Sequence, residues 1–241
     1  MMEMLNDALG HFTPLDLGAV MALVGAWAGV TLLIEYAPRR FPSTSNLMAQ
    51  YRREWMVQFV TRDPRIFDSQ IIGQLRQGTS FFASATLIAI GGALALLGEV
   101  ERLIGLADDL MAGTAPVIVW EVKILVIVAF LTNAFLKFVW ANRLFGYCAV
   151  MMAAVPNDPA DPAAMPRAQK AAEINITAAR GFNRGLRALY FALAAAAWLF
   201  GAVALLAAVA ITLLVLLRRE FASLSRSVLM RAEGDGPNTR T

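Results

Sequence analysis

The sequence predicts an all-α, polytopic membrane helical bundle, with residues 1–241 forming a single integral membrane domain. Of the 241 residues, 58% are hydrophobic and only 16% are charged, whereas about a quarter of the residues in a soluble domain are charged. Four continuous apolar segments occupy residues 15–36, 79–98, 116–140 and 188–217. Each has the roughly 20 residues that a helix needs to cross about 30 Å of hydrocarbon. Because these segments do not alternate between apolar and polar residues, helices are favoured over the strands of a barrel.

The first apolar segment, 15–36, is predicted to stay in the membrane as an anchor. No Lys or Arg precedes it, so the positively charged start of a signal peptide is missing. Gly18, Ala22, Gly25 and Gly29 form a small-residue face along this helix. Such a face allows close packing, either within one chain or between two copies in a homo-oligomer.

Basic residues orient the predicted bundle. The connections 37–78 and 141–187 contain seven and six Lys or Arg residues, whereas residues 1–14 contain none and 99–115 contain one. The positive-inside rule therefore places the N-terminus outside and both basic connections in the cytoplasm. The stretch 218–241 carries five arginines, yet four crossings would leave it outside.

The last apolar segment, 188–217, removes this conflict if it crosses the membrane twice. One straight helix of this length would be about 45 Å long, which fits about 30 Å of hydrocarbon only with an unusually large tilt. A hairpin near Gly201 would give five crossings and return the tail, 222–241, to the cytoplasm. No proline marks the turn, and the Ala-rich sequence also suits an unbroken helix. We expect five crossings, with four as the alternative.

Residues 43–62, in the first basic connection, are predicted to form an amphipathic helix at the membrane interface. Its apolar residues recur at helical spacing and are Leu47, Met48, Tyr51, Trp55, Met56 and Phe59. Arg52 and Arg53 occupy other faces. Next along the chain, Asp63 is predicted to cap the following helix, with Pro64 at its first position.

The second basic connection begins with residues 155–166, which hold four of the ten prolines. We expect an extended, flexible loop there. A helix from about Arg167 should then lead into the last apolar segment, with three arginines on one face. They are Arg180, Arg184 and Arg187. Gly181 and Gly185 form a GxxxG motif in the same helix, which is typical of close helix packing or of self-association.

Ionisable residues inside the apolar segments are Glu35, Glu121, Lys123 and Lys137. Each lies close enough to a segment end for its charge to reach the interface. Alternatively, Asn133 and Lys137 face the bundle interior, where the Lys137 amino group would meet Glu35 or Asp68. In either case these residues are the strongest local pointers to function within the apolar segments.

The residue types limit the chemistry. A single cysteine, Cys148, excludes an intramolecular disulfide, and a single histidine, His11, removes the commonest metal ligand and general base from almost the whole chain. No metalloprotease, nucleophile-elbow, P-loop or dinucleotide-binding motif is present. We therefore predict no catalytic residue, no metal site, no cofactor and no enzyme activity. Nucleic acid is not an expected partner, because the net charge is only +3 and the basic residues lie beside apolar segments.

Several short motifs follow one another along most of the chain. They are RD-x-RI-x-D before SFFAS, WE-x-K, AF-x-KF-x-W, YC and FNRGLRA. In this order they resemble the domain-of-unknown-function 599 family of bacterial membrane proteins. The resemblance implies a helical protein of the bacterial inner membrane, and the charge pattern then makes the N-terminus periplasmic and the C-terminus cytoplasmic. It supplies no activity.

The preferred function is a non-enzymatic membrane component that binds anionic lipid or a membrane partner protein through its basic cytoplasmic helices. This function requires only the amphipathic helix, the arginine clusters and the small-residue faces. The alternative is a small oligomeric transporter or channel, although polar residues at midplane are few and the halves show no repeat. The candidate interaction residues are Arg52, Arg53, Asp63, Arg65, Asp68, Asn133, Lys137, Arg143, Arg180, Asn183, Arg184 and Arg187.

Overall fold

A computed structural model of the protein describes residues 10–38, 40–101 and 116–231. Seven α-helices lie wholly within these residues, and no strand is present among them. They are α1 (Pro14–Glu35), α2 (Thr44–Thr61), α3 (Ile66–Gly98), α4 (Val117–Ala153), α5 (Ala164–Ala196), α6 (Ala202–Phe221) and α7 (Leu224–Leu229). The predicted all-α class is confirmed.

Four stretches of these helices are long and apolar enough to cross a membrane. They are Pro14–Glu35, Ile66–Gly98, Val117–Ala153 and Ala202–Leu229. The predicted polytopic membrane bundle is therefore confirmed. The basic half of α5 keeps that helix outside this group, because Arg180, Arg184 and Arg187 lie within its last five turns.

α4 lies at the centre of the bundle, with α5 packed along one side and α3 along another. α1 packs on α6, and α2 packs across α5. The largest buried apolar cluster joins α1, α4, α5 and α6, and includes Leu23, Phe130, Phe191 and Leu205. The helices are thus held together mainly by apolar contact and by close backbone approach.

α1 begins with a complete capping box. The Thr13 hydroxyl accepts a hydrogen bond from the Asp16 N–H at 3.1 Å, and the Asp16 carboxylate accepts one from the Thr13 N–H at 3.2 Å. Pro14 occupies the first turn, where its missing N–H costs nothing. The Trp198 indole N–H also donates to Asp16, at 2.8 Å, and so ties the start of α1 to the end of the α5 segment.

The chain reverses direction at Gly201. A 3-10 helix, Ala197–Phe200, ends α5, and Gly201 has a φ of 107°, a conformation that side chains with a Cβ rarely adopt. α6 then runs back beside α5, so that the Arg219 guanidinium donates to the Tyr190 hydroxyl at 2.6 Å. The turn needs no proline because glycine supplies the required backbone angle. The number of membrane crossings stays a prediction.

The predicted cap of α3 is wrong. α3 begins two residues later than predicted, at Ile66, with Arg65 at the cap position and no side-chain cap, and Asp63 lies outside the helix. The reason is tertiary: the Arg65 guanidinium donates to the carbonyls of Val155 and Pro156, both at 2.8 Å. These bonds hold the start of α3 against the α4–α5 connection.

The connection between α4 and α5 is shorter than predicted and is not extended. α5 already begins at Ala164, and residues 154–163 form turns. The Asp158 carboxylate accepts from the Ala160 N–H at 2.9 Å, and the Asp161 carboxylate accepts from the Ala163 N–H at 2.7 Å. Aspartate side chains stabilise turns in this way, which the proline count alone did not indicate. Flexibility of this connection stays a prediction.

A helix, α2, covers the stretch predicted to be amphipathic and is capped by the Ser43 hydroxyl, but the predicted apolar face is only partly buried. Met56 and Phe59 are buried, whereas Met48 and Tyr51 are exposed. The difference arises because α2 packs across α5, so that part of its polar side also contacts protein. A position at the membrane interface stays a prediction.

The GxxxG motif of α5 packs inside the chain. A Cβ added to Gly185 would lie 2.7 Å from the Phe138 ring, and one added to Gly181 would lie 3.5 Å from the Ala141 Cβ. This motif therefore packs against α4 within one chain, and self-association of the protein stays a prediction. On α1, by contrast, Gly25 has no atom within 4 Å of an added Cβ.

Candidate functional site

A cleft of about 390 Å³ opens among α2, α3 and α5. It exists because α3 and α5 both pack along α4 but scarcely touch each other, which leaves a gap that α2 borders. Its polar lining comprises Thr44, Ser45, Arg52, Gln74, Thr79, Arg180, Asn183 and Glu220. We call this feature the basic cleft. Its volume falls within the roughly 300–1,000 Å³ of typical ligand pockets.

Arg52 enters the basic cleft from α2 and lies partly buried. Its guanidinium donates to the Asn175 side-chain oxygen, and the Asn175 amide in turn donates to the Cys148 sulfur at 3.5 Å. Burial lowers the pKa of the Arg52 guanidinium below its usual value, although arginine stays charged in proteins. Among the described residues no carboxylate forms an ion pair with Arg52. This partly desolvated cation would be stabilised by an anion in the cleft.

Arg180 reaches the basic cleft from α5. It is exposed and makes no hydrogen bond to any described residue, although its charge acts on Glu35. Two arginines from two different helices therefore line one concave surface. Planar guanidinium groups are well suited to carboxylate and phosphate oxygens.

Glu220 closes one end of the basic cleft. Its carboxylate accepts hydrogen bonds from the Ser45 N–H at 3.1 Å and the Ser45 hydroxyl at 2.9 Å. The Asn183 amide also donates to the Ser45 hydroxyl, at 3.3 Å. Because the Glu220 carboxylate lies beside the first turn of α2, the dipole of that helix stabilises its negative charge. These contacts fix the end of α6 to the start of α2, and so set the shape of the cleft at that end.

Residues 18–225 match a family model described as "Protein of unknown function, DUF599". The chain belongs to this family. No curated protein and no solved structure matches it. Membership in DUF599 confirms the resemblance seen in the motifs and assigns no activity.

In this DUF599 protein two of the predicted ligand-binding arginines are already paired. The Arg184 Nε lies 2.8 Å from Glu35 Oε1, and the Arg187 Nη2 lies 2.5 Å from the same oxygen. Arg187 is only 4% exposed, and it also donates to the Thr31 hydroxyl at 3.3 Å. The predicted basic face of α5 is therefore divided: Arg180 lines the cleft, and the other two hold α1 against α5.

The predicted pairing of Lys137 is wrong. Glu35 binds two arginines of α5, and Asp68 accepts from the Trp55 indole N–H at 2.6 Å and from Arg62. Lys137 forms no ion pair with any described residue. Asn133 and Lys137 are both half-buried, and neither lines the basic cleft. Glu35 and Asp68 form ion pairs with arginines and not with Lys137, because the arginines lie closer to these carboxylates in the folded chain.

Lys123 contacts two tryptophan rings, and the reach of its charge to the membrane interface stays a prediction. It is buried in α4, with its ammonium group 5.4 Å from the ring centre of Trp120 and 5.7 Å from that of Trp198. The two indole rings cover the charge by cation–π contact. The sequence indicated a charge near the segment end but could not indicate that Trp198, 75 positions away, would cover it.

The remaining candidates lie outside the basic cleft and have structural contacts of their own. Arg53 forms an exposed ion pair with Glu173 at 2.7 Å. The Arg143 Nε donates to the Tyr147 hydroxyl at 2.5 Å on the exposed side of α4. Arg65 is occupied by backbone carbonyls and by the Phe59 ring, 4.5 Å from the guanidinium carbon. In the described part of the chain, no group of three His, Cys, Asp or Glu side chains is placed to hold a metal ion.

The cleft thus contains three predicted residues, Arg52, Arg180 and Asn183, together with polar residues that the sequence did not single out. Glu220 directly follows Arg218 and Arg219, and Ser45 lies in the first turn of α2. Ser45 and Glu220 are 175 positions apart in the sequence. Helical spacing relates only residues within a few turns of each other, so it could not predict this contact. A carboxylate directly after two arginines was the only local signal.

Proposed function

We propose that this protein is a non-enzymatic component of the bacterial inner membrane that binds the anionic headgroup of a phospholipid in the basic cleft. The observation that supports this function best is Arg52, a partly buried cation that no described carboxylate pairs with. Arg180 adds a second cation that is free to contact a phosphate. The geometry favours a lipid over a protein partner, because the cations lie inside a cleft rather than on a flat surface.

The position of the cleft along the helices suits a lipid headgroup. Gln74 and Thr79, both in its lining, stand on either side of the boundary between the polar start of α3 and its apolar segment. This boundary is where a membrane helix passes from the interface into hydrocarbon. The cytoplasmic leaflet carries the anionic lipids that attract basic residues beside the membrane.

The proposed orientation places the N-terminus in the periplasm and the C-terminus in the cytoplasm, with five crossings. The reversal at Gly201 supports it, because α6 ends beside the start of α2 rather than at the far end of α5. A cysteine placed at Ser225, in a Cys148→Ala background, is expected to resist a membrane-impermeant maleimide in spheroplasts and to react after lysis. Labelling of intact spheroplasts at this position would contradict five crossings.

Replacement of Arg180 by glutamine is expected to weaken phosphatidylglycerol binding by about 10- to 100-fold, because a charge-assisted contact contributes roughly 1.5–3 kcal/mol. The measurement is a lipid titration of the detergent-purified protein, followed by native mass spectrometry. Arg143→Gln is the matched control, since Arg143 is also an exposed arginine but lies outside the cleft. Phosphatidylcholine reports non-specific lipid adhesion.

The two variants separate a specific site from general basic attraction. Equal loss in Arg180→Gln and Arg143→Gln would mean that net charge alone attracts lipid. Wild-type affinity in Arg180→Gln would contradict the basic cleft as the binding site. A selective flux of a small solute through proteoliposomes, with no lipid preference, would favour the transporter class.

A further inference from the structure

We propose that the lipid in the basic cleft inserts the first part of an acyl chain into the gap between α3 and α5, with Gly78 forming the open wall of that gap. This inference rests on the proposed function and specifies the ligand further. It requires a lipid with its hydrocarbon attached, and it excludes a free phosphate or a soluble phosphate ester as the natural occupant.

The composition of the cleft supports an amphiphile. Besides its cations the cleft has a largely apolar lining, with the exposed Met48 from α2, the half-buried Leu75 from α3 and the half-buried Phe182 from α5. A site for a small soluble anion has no need of such a surface, and leaving it in contact with water is unfavourable. A headgroup between the arginines and methylene groups against the apolar side would satisfy both parts of the cleft.

Gly78 controls access to the gap from the lipid side. It is exposed on α3, and no atom lies within 4 Å of an added Cβ. Any larger residue would therefore project into open space that the cleft now includes. One turn further along α3, the Phe82 ring meets the Phe182 ring of α5 at 5.5 Å between centres. This aromatic contact closes the gap, so the acyl chain must turn outward past Gly78 toward the surrounding bilayer.

Charge complementarity identifies the occupant as an anionic phospholipid. The cleft contains Arg52 and Arg180, and its one carboxylate, Glu220, is already hydrogen-bonded to Ser45 at the end of the cleft. A zwitterionic headgroup would bring its ammonium group close to the two guanidinium groups. A headgroup with a single phosphate and no ammonium avoids this repulsion.

Gly78→Leu should fill the gap and lower the affinity for long-chain phosphatidylglycerol by about tenfold or more, since the added side chain takes the space of the methylene groups. Gly73→Leu is the matched control, because Gly73 is exposed on the same helix, also has open space at its Cβ, and lies outside the cleft. Lipid titration with native mass spectrometry gives both affinities. Thermal unfolding of both variants without lipid tests whether each substitution leaves the protein folded.

A second probe, sn-glycerol 3-phosphate, distinguishes headgroup from chain. If this ester binds the wild-type protein, its affinity should be unchanged in Gly78→Leu. If it does not bind, binding requires the acyl chain, as the proposal states. Wild-type phosphatidylglycerol affinity in Gly78→Leu, or a parallel loss of the soluble ester, would overturn the acyl-chain site while leaving headgroup binding intact. Failure of the proposed function is separate, because it would appear as an unchanged affinity in Arg180→Gln.

Discussion

Replacement of Glu35 by alanine is expected to lower the free energy of unfolding by about 3–5 kcal/mol, the usual cost of removing one partner from a buried ion pair. Glu35 binds Arg184 and Arg187, and its own side chain is only 13% exposed. The Arg187 side chain is 5% exposed, so without Glu35 its charge would stay buried with no carboxylate in contact, because Glu220 acts on it only from a longer distance. The measurement is reversible unfolding in mixed detergent micelles, followed by tryptophan fluorescence.

Glu173→Ala is the matched control for Glu35→Ala. Glu173 also pairs with an arginine, Arg53, but the two side chains are 59% and 50% exposed, and exposed pairs contribute about 0–1 kcal/mol. Adding Arg187→Met to Glu35→Ala should recover part of the lost stability, because the unpaired buried charge is then removed. Equal effects of Glu35→Ala and Glu173→Ala would show that the Glu35 pairs do not hold α1 to α5.

Replacement of Gly185 by alanine is expected to cost about 1–3 kcal/mol, as overpacking of a filled core does. The added Cβ would lie 2.7 Å from the Phe138 ring. That ring is fully buried and cannot move aside freely, because it contacts the rings of Phe82 and Phe182, each at 5.5 Å between centres. α5 must therefore shift away from α4, which loosens the most extensive helix contact in the bundle.

Gly181→Ala tests the same motif without the clash. Its Cβ would make an ordinary contact of 3.5 Å with the Ala141 Cβ, and alanine favours a helix over glycine by about 1 kcal/mol. Gly181→Ala should therefore be neutral or stabilising in the same unfolding experiment. If Gly185→Ala is equally well tolerated, close α4–α5 approach at Gly185 is not a determinant of stability.

The basic cleft shows which parts of a site the sequence can indicate. Arg52 and Arg180 were candidates because basic residues beside apolar segments form a recognisable pattern, and Asn183 lies between two such arginines on the same helix. Arg184 and Arg187 belong to the same pattern on the same helix, yet they bind Glu35. Helical spacing predicts which residues share a face of a helix. It does not predict which neighbouring helix packs against each part of that face. The division of these arginines between ligand and ion pair therefore depends on where α1 crosses α5.

Composition and apolar run length by themselves determined that this is an all-α membrane bundle, because crossing hydrocarbon requires long apolar segments with internally satisfied backbone groups. The spacing of Gly181 and Gly185 also indicated that α5 packs closely against another helix. Tertiary structure alone decided that Arg65 rather than Asp63 stands at the start of α3, that Arg184 and Arg187 bind Glu35, and that Glu220 meets Ser45. These outcomes depend on contacts between residues far apart in the chain, for which local periodicity carries no information.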